Sequence, residues 1–329
     1  MNLYFDLLST LVALAGVSTI SSSKPRFNDG HLRFMVLADW GGLSFHPFTS
    51  PVQKAVRDQM TSYARENSPE FLLVLGDNFY LYGVNNVDDP RFMTTFENVY
   101  THPSLHVPWH IVAGNHDYFG NVSAQIAYSK VSDRWKFPDY YHKFTAPIAG
   151  GRTVEVVMID TILLCGNVYT LRGQPVGPDD KAAAEAHFRW IEEALSQSRA
   201  NYLLVGGHYP VYSVGMHGPT DCLRDRLEPM LISNNVTAYL AGHDHNLQHI
   251  KRTTNGTTLD YFIVGSGNFV DQNRFPYTDI PDDMVKFFFA DLIQLGGFAH
   301  FEVTTDTMTI HFLDGAGVDI YQYTLYPRI

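Results

Sequence analysis

Five apolar, β-branched runs in this chain each end in a turn that carries glycine and polar side chains, and this repeated pattern restricts the fold more than any other feature. Short apolar runs bounded by such turns are typical of buried strands. Each strand would therefore deliver polar residues at its carboxyl end, where folding can gather them. The five runs are Leu32 to Ala38, Phe71 to Leu75, Val107 to Ala113, Tyr202 to Val205 and Val236 to Ala241.

Helical patterns lie between these strands. The segment Pro51 to Asn67 has proline at its start, and Asp180 to Ser198 has apolar residues at helical spacing. Alternation of strand and helix predicts an α/β sheet. After Gly242 the strands follow one another through turns, which predicts a second, more antiparallel sheet packed on the first. These later strands are Leu259 to Val264, Gly297 to Val303, Thr307 to Leu313 and Val318 to Leu325.

The turns after the five strands carry side chains that bind metal ions in other proteins. Hard oxygen donors come first along the chain and imidazoles come last. Seven candidate ligands are too many for one tetrahedral ion and suit two ions of higher coordination number. The candidates are Asp39, Asp77, Tyr80, Asn115, His208, His243 and His245.

Each candidate also has a purely structural interpretation when taken alone. An aspartate after a strand commonly caps a helix or a turn, and a lone tyrosine such as Tyr80 most often packs in a core. His243 and His245 form a Gly-His-x-His motif with Gly242, which is a frequent way of offering nitrogen to metal. Five such turns at the ends of five predicted strands favour the metal interpretation jointly.

Composition and charge restrict the function further. With 45% hydrophobic and 17% charged residues, the chain has the composition of a globular protein, and no repeat or linker divides it, so residues 23–329 are expected to form one catalytic domain. The formal net charge of −11 and the absence of a basic run argue against nucleic-acid binding. An acidic protein that acts on phosphates must create positive potential locally, and metal ions can supply it.

The amino terminus predicts export. Residues 1–22 contain an uncharged stretch from Leu7 to Ile20 that is too short for a membrane span and fits a signal peptide, although Asp6 precedes it and no basic residue does. A buried amino-terminal element is the alternative. No other segment could cross a bilayer.

The cysteines and the Asn-x-Ser/Thr triplets are also typical of an exported protein. The even count of cysteines, Cys165 and Cys222, favours one disulfide in an exported protein, with two buried thiols as the alternative. Asn-x-Ser/Thr triplets at Asn121, Asn235 and Asn255 are candidate glycan acceptors.

The five turns resemble, residue by residue, the metal-binding motifs of the purple acid phosphatases, within the calcineurin-like metallophosphoesterases, and the sequence is most similar to their small animal type. The resemblance covers nearly all of residues 23–329 and implies a four-layer α/β/β/α sandwich, with two packed mixed sheets flanked by helices. It is also carried by GNHDYFGNVSAQIAYS from Gly114, HGPTDCL from His217, GHDHNLQ from Gly242, and the pair Cys165 and Cys222.

The resemblance implies a role for each candidate ligand. Asp39, Tyr80 and His245 would bind Fe(III), and Asp77 would bridge to a second, divalent ion. Asn115, His208 and His243 would bind that divalent ion, which is usually Fe(II) in animal members and Zn or Mn in plants.

One residue departs from the wider superfamily. The first motif there is usually Asp-x-His, whereas this chain has Gly41 in the histidine position and supplies Tyr80 instead. A phenolate is a hard anionic donor that favours Fe(III) and would colour the protein.

The implied activity is that of an acid phosphatase on phosphate monoesters, either small molecules or phosphoproteins, through attack by hydroxide bound to the Fe(III)–M(II) centre. His116 and His217 would lie near the substrate as general acid or phosphate-orienting donors. The resemblance further implies a secreted or lysosomal monomer. It also implies that the loop Gly166 to Asp179 covers the mouth of the active site and that proteolysis of the loop removes this cover.

Three alternatives remain open from the sequence. The same scaffold could serve a phosphodiesterase or nucleotide phosphatase. An iron pair could also support redox chemistry that generates reactive oxygen. A catalytically inactive binding protein is disfavoured, because all seven candidate ligands are present.

Overall fold

The computed structural model describes residues 30–328, except residues 171, 255, 276, 278 and 279. The expected signal peptide at residues 1–22 and the sequon residue Asn255 lie outside the described residues.

The strands form two seven-stranded sheets. The first sheet contains, in spatial order, β14 (Asp319–Leu325), β13 (Met308–Asp314), β12 (Gly297–Val303), β1 (Leu32–Leu37), β2 (Phe71–Leu75), β3 (Trp109–Val112) and β4 (Trp135–Lys136). The second contains β11 (Val285–Phe289), β9 (Leu247–Thr254), β10 (Thr257–Val264), β8 (Ala238–Ala241), β7 (Tyr202–Gly206), β6 (Thr153–Met158) and β5 (His142–Pro147).

Both sheets are mixed. In the first sheet β1 runs parallel to β2, with Phe34 opposite Phe71, and antiparallel to β12, with Phe34 opposite Phe301. In the second sheet β6, β7, β8 and β10 are parallel neighbours, while β5 and β9 pair antiparallel to their partners.

The expected division of the strands between the sheets is therefore wrong. The strands after Gly242 do not form a separate antiparallel sheet, because β9, β10 and β11 extend the second sheet and β12 to β14 extend the first. The five strands with polar turns are likewise split, with β1, β2 and β3 in one sheet and β7 and β8 in the other. Strands from the carboxyl-terminal part of the chain are thus added to the parallel strands of both sheets.

Helices cover the outer face of each sheet. On the first sheet α1 (Pro51–Asn67) buries Val56 and Met60 against the outward-facing residues of β1, Met35 and Leu37. Ser50 caps this helix by accepting a hydrogen bond from the backbone N–H of Gln53 at 3.0 Å, and Pro51 occupies its first turn. The remaining helices are α2 (Val122–Tyr128), α3 (Thr161–Cys165), α4 (Lys181–Gln197) and α5 (Asp221–Ser233).

Successive side chains of β1 point to opposite faces of the first sheet, and this alternation lets β1 contribute to two layers of the core. Phe34 and Val36 face inward, where they pack with residues of the second sheet such as Val156, Leu204 and Phe262. Both sheet faces are apolar because strands buried on two sides lose the polar alternation of a surface sheet. A third cluster joins α4 and α5 to the outer face of the second sheet, and the four-layer α/β/β/α sandwich is thereby confirmed.

A disulfide joins Cys165, at the end of α3, to Cys222, in the first turn of α5. The pairing predicted from the sequence is confirmed. In the part of the chain that the structure describes, no helix has the length and apolar character needed to cross a membrane.

Candidate metal centre

The polar turns of both sheets meet at one place. The backbone N–H of Asp39, after β1, donates to Gly76 O after β2 at 3.1 Å. From the other sheet, the Nδ1 atom of His208 lies 2.9 Å from Leu75 O at the end of β2. Because a carbonyl oxygen only accepts hydrogen bonds, Nδ1 carries the proton and Nε2 is left to face the centre. The carboxyl ends of strands from two sheets therefore form one site.

Three of the candidate ligands adopt a backbone conformation that side chains disfavour. Asp39, Asp77 and His243 have φ values of 53°, 51° and 70°. Left-handed geometry at non-glycine residues costs free energy and is concentrated at functional sites, where the surrounding structure holds it. This conformation lets each turn reverse sharply and present its side chain to the centre.

Neighbouring glycines allow the turns to approach closely. A Cβ atom on Gly114 would lie 2.2 Å from Oδ1 of Asp77, and one on Gly242 would lie 2.5 Å from Oδ2 of Asp39. Both contacts are shorter than any Cβ can make, so the carboxylates occupy their positions only because these residues have no side chain.

The first group of donors consists of Asp39, Tyr80 and His245. The Tyr80 hydroxyl donates to Oδ1 of Asp39 at 2.9 Å and lies 3.0 Å from Nε2 of His245. Nε2 of His245 is 3.5 Å from the same Asp39 oxygen. Phe269 packs its ring against Tyr80, with centroids 4.9 Å apart, and against His245, with centroids 5.5 Å apart.

The second group consists of Asn115, His208 and His243. Nε2 of His208 lies 2.9 Å from Oδ1 of Asn115. The His208 and His243 rings lie edge to face with their centroids 5.0 Å apart. Both histidines and Asn115 are buried.

Asp77 lies between the two groups. Its Oδ1 atom is 3.4 Å from Nε2 of His208 in the second group. Asp77 also offers an oxygen that lies within 4.8 Å of donor atoms of Asp39 and His245 in the first group. All seven residues selected from the sequence are thus brought together.

The electrostatics of the cluster are those of a cation site. Burial raises the pKa of Tyr80 well above its ordinary value, and the carboxylates of Asp39 and Asp77 raise it further. Burial also raises the pKa of Asp77, but His208 and His116 lower it more, so Asp77 remains a carboxylate. Burial and the neighbouring histidines hold the pKa of His243 well below its ordinary value, so its imidazole is neutral. Anionic oxygens and neutral imidazoles are the forms that bind metal ions.

His116 and His217 lie at the half-buried rim of the centre. The backbone N–H of His116 donates to Oδ1 of Asp77 at 3.0 Å, and its Nδ1 lies 2.8 Å from Leu81 O. The His217 ring stacks on His243 with centroids 4.1 Å apart, and its centroid is 6.3 Å from that of His245. The two histidines selected from the sequence therefore flank the donor cluster.

Asp117 was given no role from the sequence, although it supports two of the turns. Its carboxylate accepts hydrogen bonds from the backbone N–H groups of Asn78, Phe79 and Gly114 and from the Gln125 side chain, at 2.8–3.2 Å. Burial and the nearby charge of Asp77 raise the pKa of Asp117 to about 6. Its place two residues after Asn115 was the available signal.

Asp244 supports the rim in a similar way. Its Oδ1 accepts from the backbone N–H of His217 at 2.8 Å, and its other oxygen accepts from the hydroxyl of Ser213. Gln248 donates to the same hydroxyl at 2.7 Å. The aspartate between the two motif histidines thus holds the loop that carries His217, a function that spacing alone did not indicate.

The surroundings of Gly41 explain why this chain has no histidine in its first motif and supplies Tyr80 instead. A Cβ atom on Gly41 would lie 2.6 Å from the backbone nitrogen of Phe79 and 2.7 Å from that of Tyr80. The backbone N–H of Tyr80 also donates to Gly41 O at 3.1 Å. The turn that delivers Tyr80 therefore occupies the space that a side chain at position 41 would need.

Two of the candidate glycan acceptors are among the described residues. Asn121 is exposed and caps α2, because its Oδ1 accepts from the backbone N–H of Ala124 at 3.0 Å. Asn235 is exposed after α5 with a positive φ of 48°. Glycosylation of these residues stays a prediction.

Comparison with known proteins agrees with this geometry. The family model for calcineurin-like phosphoesterases matches residues 32–247. The tartrate-resistant acid phosphatase type 5 of Sus scrofa is 42% identical over 300 residues, which cover 90% of this chain and 87% of that protein.

Two solved structures share the fold at low sequence identity. GAP50 of Plasmodium, described as the anchor in the inner membrane complex, superposes with a TM-score of 0.77 and 24% identity over 91% of this chain and 90% of that one. The purple acid phosphatase PPD1 from yellow lupin (Lupinus luteus) gives a TM-score of 0.64 and 12% identity over 90% of this chain and 54% of that one. On the strength of the family match and the identity to the mammalian enzyme, the chain belongs to the calcineurin-like phosphoesterases and is a homologue of the tartrate-resistant acid phosphatases.

Proposed function

We propose that the chain is an acid phosphatase that hydrolyses phosphate monoesters with two metal ions. The position of Asp77 carries the proposal, because one carboxylate lies 3.4 Å from His208 and within 4.8 Å of the Asp39 and His245 donors. A carboxylate between two donor groups is the arrangement that bridges two cations.

The residues present fit such a pair of ions. Asp39, Tyr80 and His245 would hold Fe(III), since a phenol beside a carboxylate ionises readily only when a strong cation compensates its charge. Asn115, His208 and His243 would hold a divalent ion, either Fe(II), Zn or Mn, because neutral imidazole suits each of these. Asp77 would be shared.

Two bound cations neutralise phosphate oxygens and lower the pKa of water at the site, which permits hydrolysis at acid pH. The protein contributes the rest. His116 donates from Nδ1 to Leu81 O, so Nε2 is the ring atom that faces the substrate, and in the imidazolium form its N–H could pass a proton to the leaving alcohol and leave His116 neutral. His217, fixed through Asp244 and stacked on His243, would orient the phosphate.

The likeness to GAP50 makes the donor set important, because a shared fold does not by itself imply catalysis. Retention of all seven donors in one cluster supports an enzyme.

The activity can be tested with phenyl phosphate and diphenyl phosphate at pH 5. We expect turnover of the monoester, much slower turnover of the diester, and loss of both after prolonged chelation. Asp77→Asn should reduce kcat by at least ~100-fold and lower the metal content, because a shared anionic ligand is lost. The exposed Asp88→Asn variant serves as the control and should behave as wild type. A faster rate on the diester would favour a phosphodiesterase, and full activity in Asp77→Asn would refute the bridging role.

We further infer that the protein enters the secretory pathway and is secreted or lysosomal as a monomer with one catalytic domain. The disulfide between Cys165 and Cys222 supports entry into the secretory pathway, since such bonds persist in oxidising compartments. Amino-terminal sequencing of the exported protein should begin near residue 23. An intact residue 1 would contradict a cleaved signal peptide.

A further inference from the structure

We propose that Arg172 forms a subsite, beside His217, for a second anionic group on the leaving-group side of the substrate. This inference rests on the proposed phosphatase function and narrows its substrate class to phosphate monoesters that carry another negative charge. The subsite is a pocket whose lining includes Arg172, Gln174, His217, Asp221, Arg224 and Phe275.

The pocket adjoins the donor cluster directly. His217 lines the pocket and stacks on His243, a member of the second donor group, with centroids 4.1 Å apart. A phosphate held at the metal centre would therefore place its leaving group within the neighbourhood of the pocket. Side chains of the pocket can therefore bind the leaving group of the substrate without contacting the phosphorus atom.

The charge of the pocket is unusual for this chain. Two arginines and one aspartate line it, although the protein carries a formal net charge of −11. Asp221 and Arg224 lie 3.4 Å apart and offset each other. Arg172 makes no ion pair with a carboxylate among the described residues, so its charge is left for a ligand. A cation in a concave surface beside a reaction centre attracts anionic substrates.

Arg172 is also held in place. Its guanidinium lies over the Phe275 ring at 3.8 Å, and the backbone N–H of Phe275 donates to Val214 O at 2.8 Å. Stacking on an aromatic ring restrains the guanidinium while leaving its N–H groups able to bind a carboxylate or phosphate.

The loop that carries Arg172 is tied to the rest of the pocket through Gln174. The Gln174 side chain donates to Pro219 O at 2.9 Å and accepts from the backbone N–H of Asp221 at 2.9 Å. At the base of the loop, the Asn167 side chain donates to Asn115 O at 3.1 Å, which joins the loop to a candidate metal ligand. The exposed part of this segment is thus anchored at both its base and its middle, next to the site.

The test uses three pairs of aryl phosphates, in which the ring bears an acetate, propionate or butyrate tail or the matching primary amide. Each pair has nearly the same leaving-group chemistry and differs in one negative charge. For at least one tail length we expect kcat/KM to favour the carboxylate by about fivefold, as for a charge-assisted contact at a partly exposed site, and the preference to fall as salt is added. Arg172→Gln should abolish the preference, because it should lower kcat/KM for the carboxylate far more than for the amide.

Two further variants sharpen the test. Phe275→Leu should reduce the preference in part, because Arg172 loses its ring support. Arg189→Gln, an exposed arginine on α4, is the matched control and should keep the full preference. Wild type that hydrolyses the amides but prefers no carboxylate would overturn the subsite and leave the phosphatase intact. A preference that survives in Arg172→Gln would overturn the role of Arg172.

Failure of the phosphatase proposal would show differently, as absence of turnover for every amide substrate. Calorimetric binding of the matching non-hydrolysable phosphonates would then decide the subsite independently. Tighter binding of the carboxylate phosphonate to wild type than to Arg172→Gln supports the subsite, and equal binding overturns it.

Discussion

The phenolic hydroxyl of Tyr80 donates a hydrogen bond to Oδ1 of Asp39 across 2.9 Å, although 41 residues separate the two along the chain. Asp39 follows the first strand and Tyr80 belongs to the turn after the second, so the contact depends on the parallel pairing of β1 with β2. A phenol and a carboxylate this close share one proton until a cation replaces it. The contact is therefore the protonated form of a site that we expect to bind Fe(III).

Substitution of Gly41 tests how the site accommodates tyrosine. Gly41→Ala would place Cβ against the backbone of Phe79 and Tyr80, which cannot move as a flexible side chain can. We expect a loss of about 1–3 kcal/mol in the free energy of unfolding and weaker metal binding. Denaturant unfolding and metal analysis measure both. A stable Gly41→His variant that binds metal through the new imidazole would contradict this interpretation.

His187 on α4 predicts a pH dependence of stability. The residue is fully buried with its ring stacked on Tyr141 at 3.9 Å, and neither ring nitrogen has a hydrogen-bond partner among the described residues. Burial lowers the pKa of His187 to about 3 from 6.5. The unfolded chain therefore takes up a proton below pH 6.5 that the folded protein refuses, and stability is lost as pH falls toward 3.

His187→Phe should remove this loss. Relative to wild type, the variant should gain about 2 kcal/mol in the free energy of unfolding between pH 7.5 and pH 5, whatever the constant effect of the packing change. Urea unfolding at both pH values measures the difference. A difference that does not vary with pH would show that His187 binds a proton as readily in the folded protein as in the unfolded chain, which would contradict the lowered pKa.

The disulfide should stabilise the segment next to the site. Cys165 and Cys222 are separated by 57 residues, so the bond restricts a long loop in the unfolded chain. Replacing both with alanine should cost about 4 kcal/mol in the free energy of unfolding. Urea unfolding checks the value, and an unchanged midpoint would contradict it.

Local sequence signals predicted the individual elements well. The helix from Pro51 to Asn67 was expected with the bounds found, because it has a helical pattern and Pro51 fits its first turn. The seven donors were identifiable because glycine and ligand-type residues follow strands in a repeated pattern. In contrast α5 was missed, since it contains Pro229, and β5 was missed because its residues alternate between partly buried and exposed.

The pairing of strands far apart in the sequence could not be predicted from local sequence patterns. Nothing near β12 indicates that Phe301 pairs with Phe34 at the other end of the chain, and this pairing decides which sheet receives the last strands. The supporting roles of Asp117 and Asp244 depend in the same way on backbone groups brought near by folding. The candidate ligands could be predicted from residue types, whereas the residues that position them are brought into contact only by folding.

The visible spectrum of the purified protein tests the assignment of Tyr80 most directly. Tyr209→Phe is a matched control, because its ring lies 4.7 Å from that of His243 while its hydroxyl donates to Gly166 O rather than to a candidate ligand. We expect a charge-transfer band in wild type and in Tyr209→Phe, and its loss in Tyr80→Phe. A band that persists unchanged in Tyr80→Phe would contradict an iron-bound phenolate at this residue and, with it, the proposed Fe(III) site.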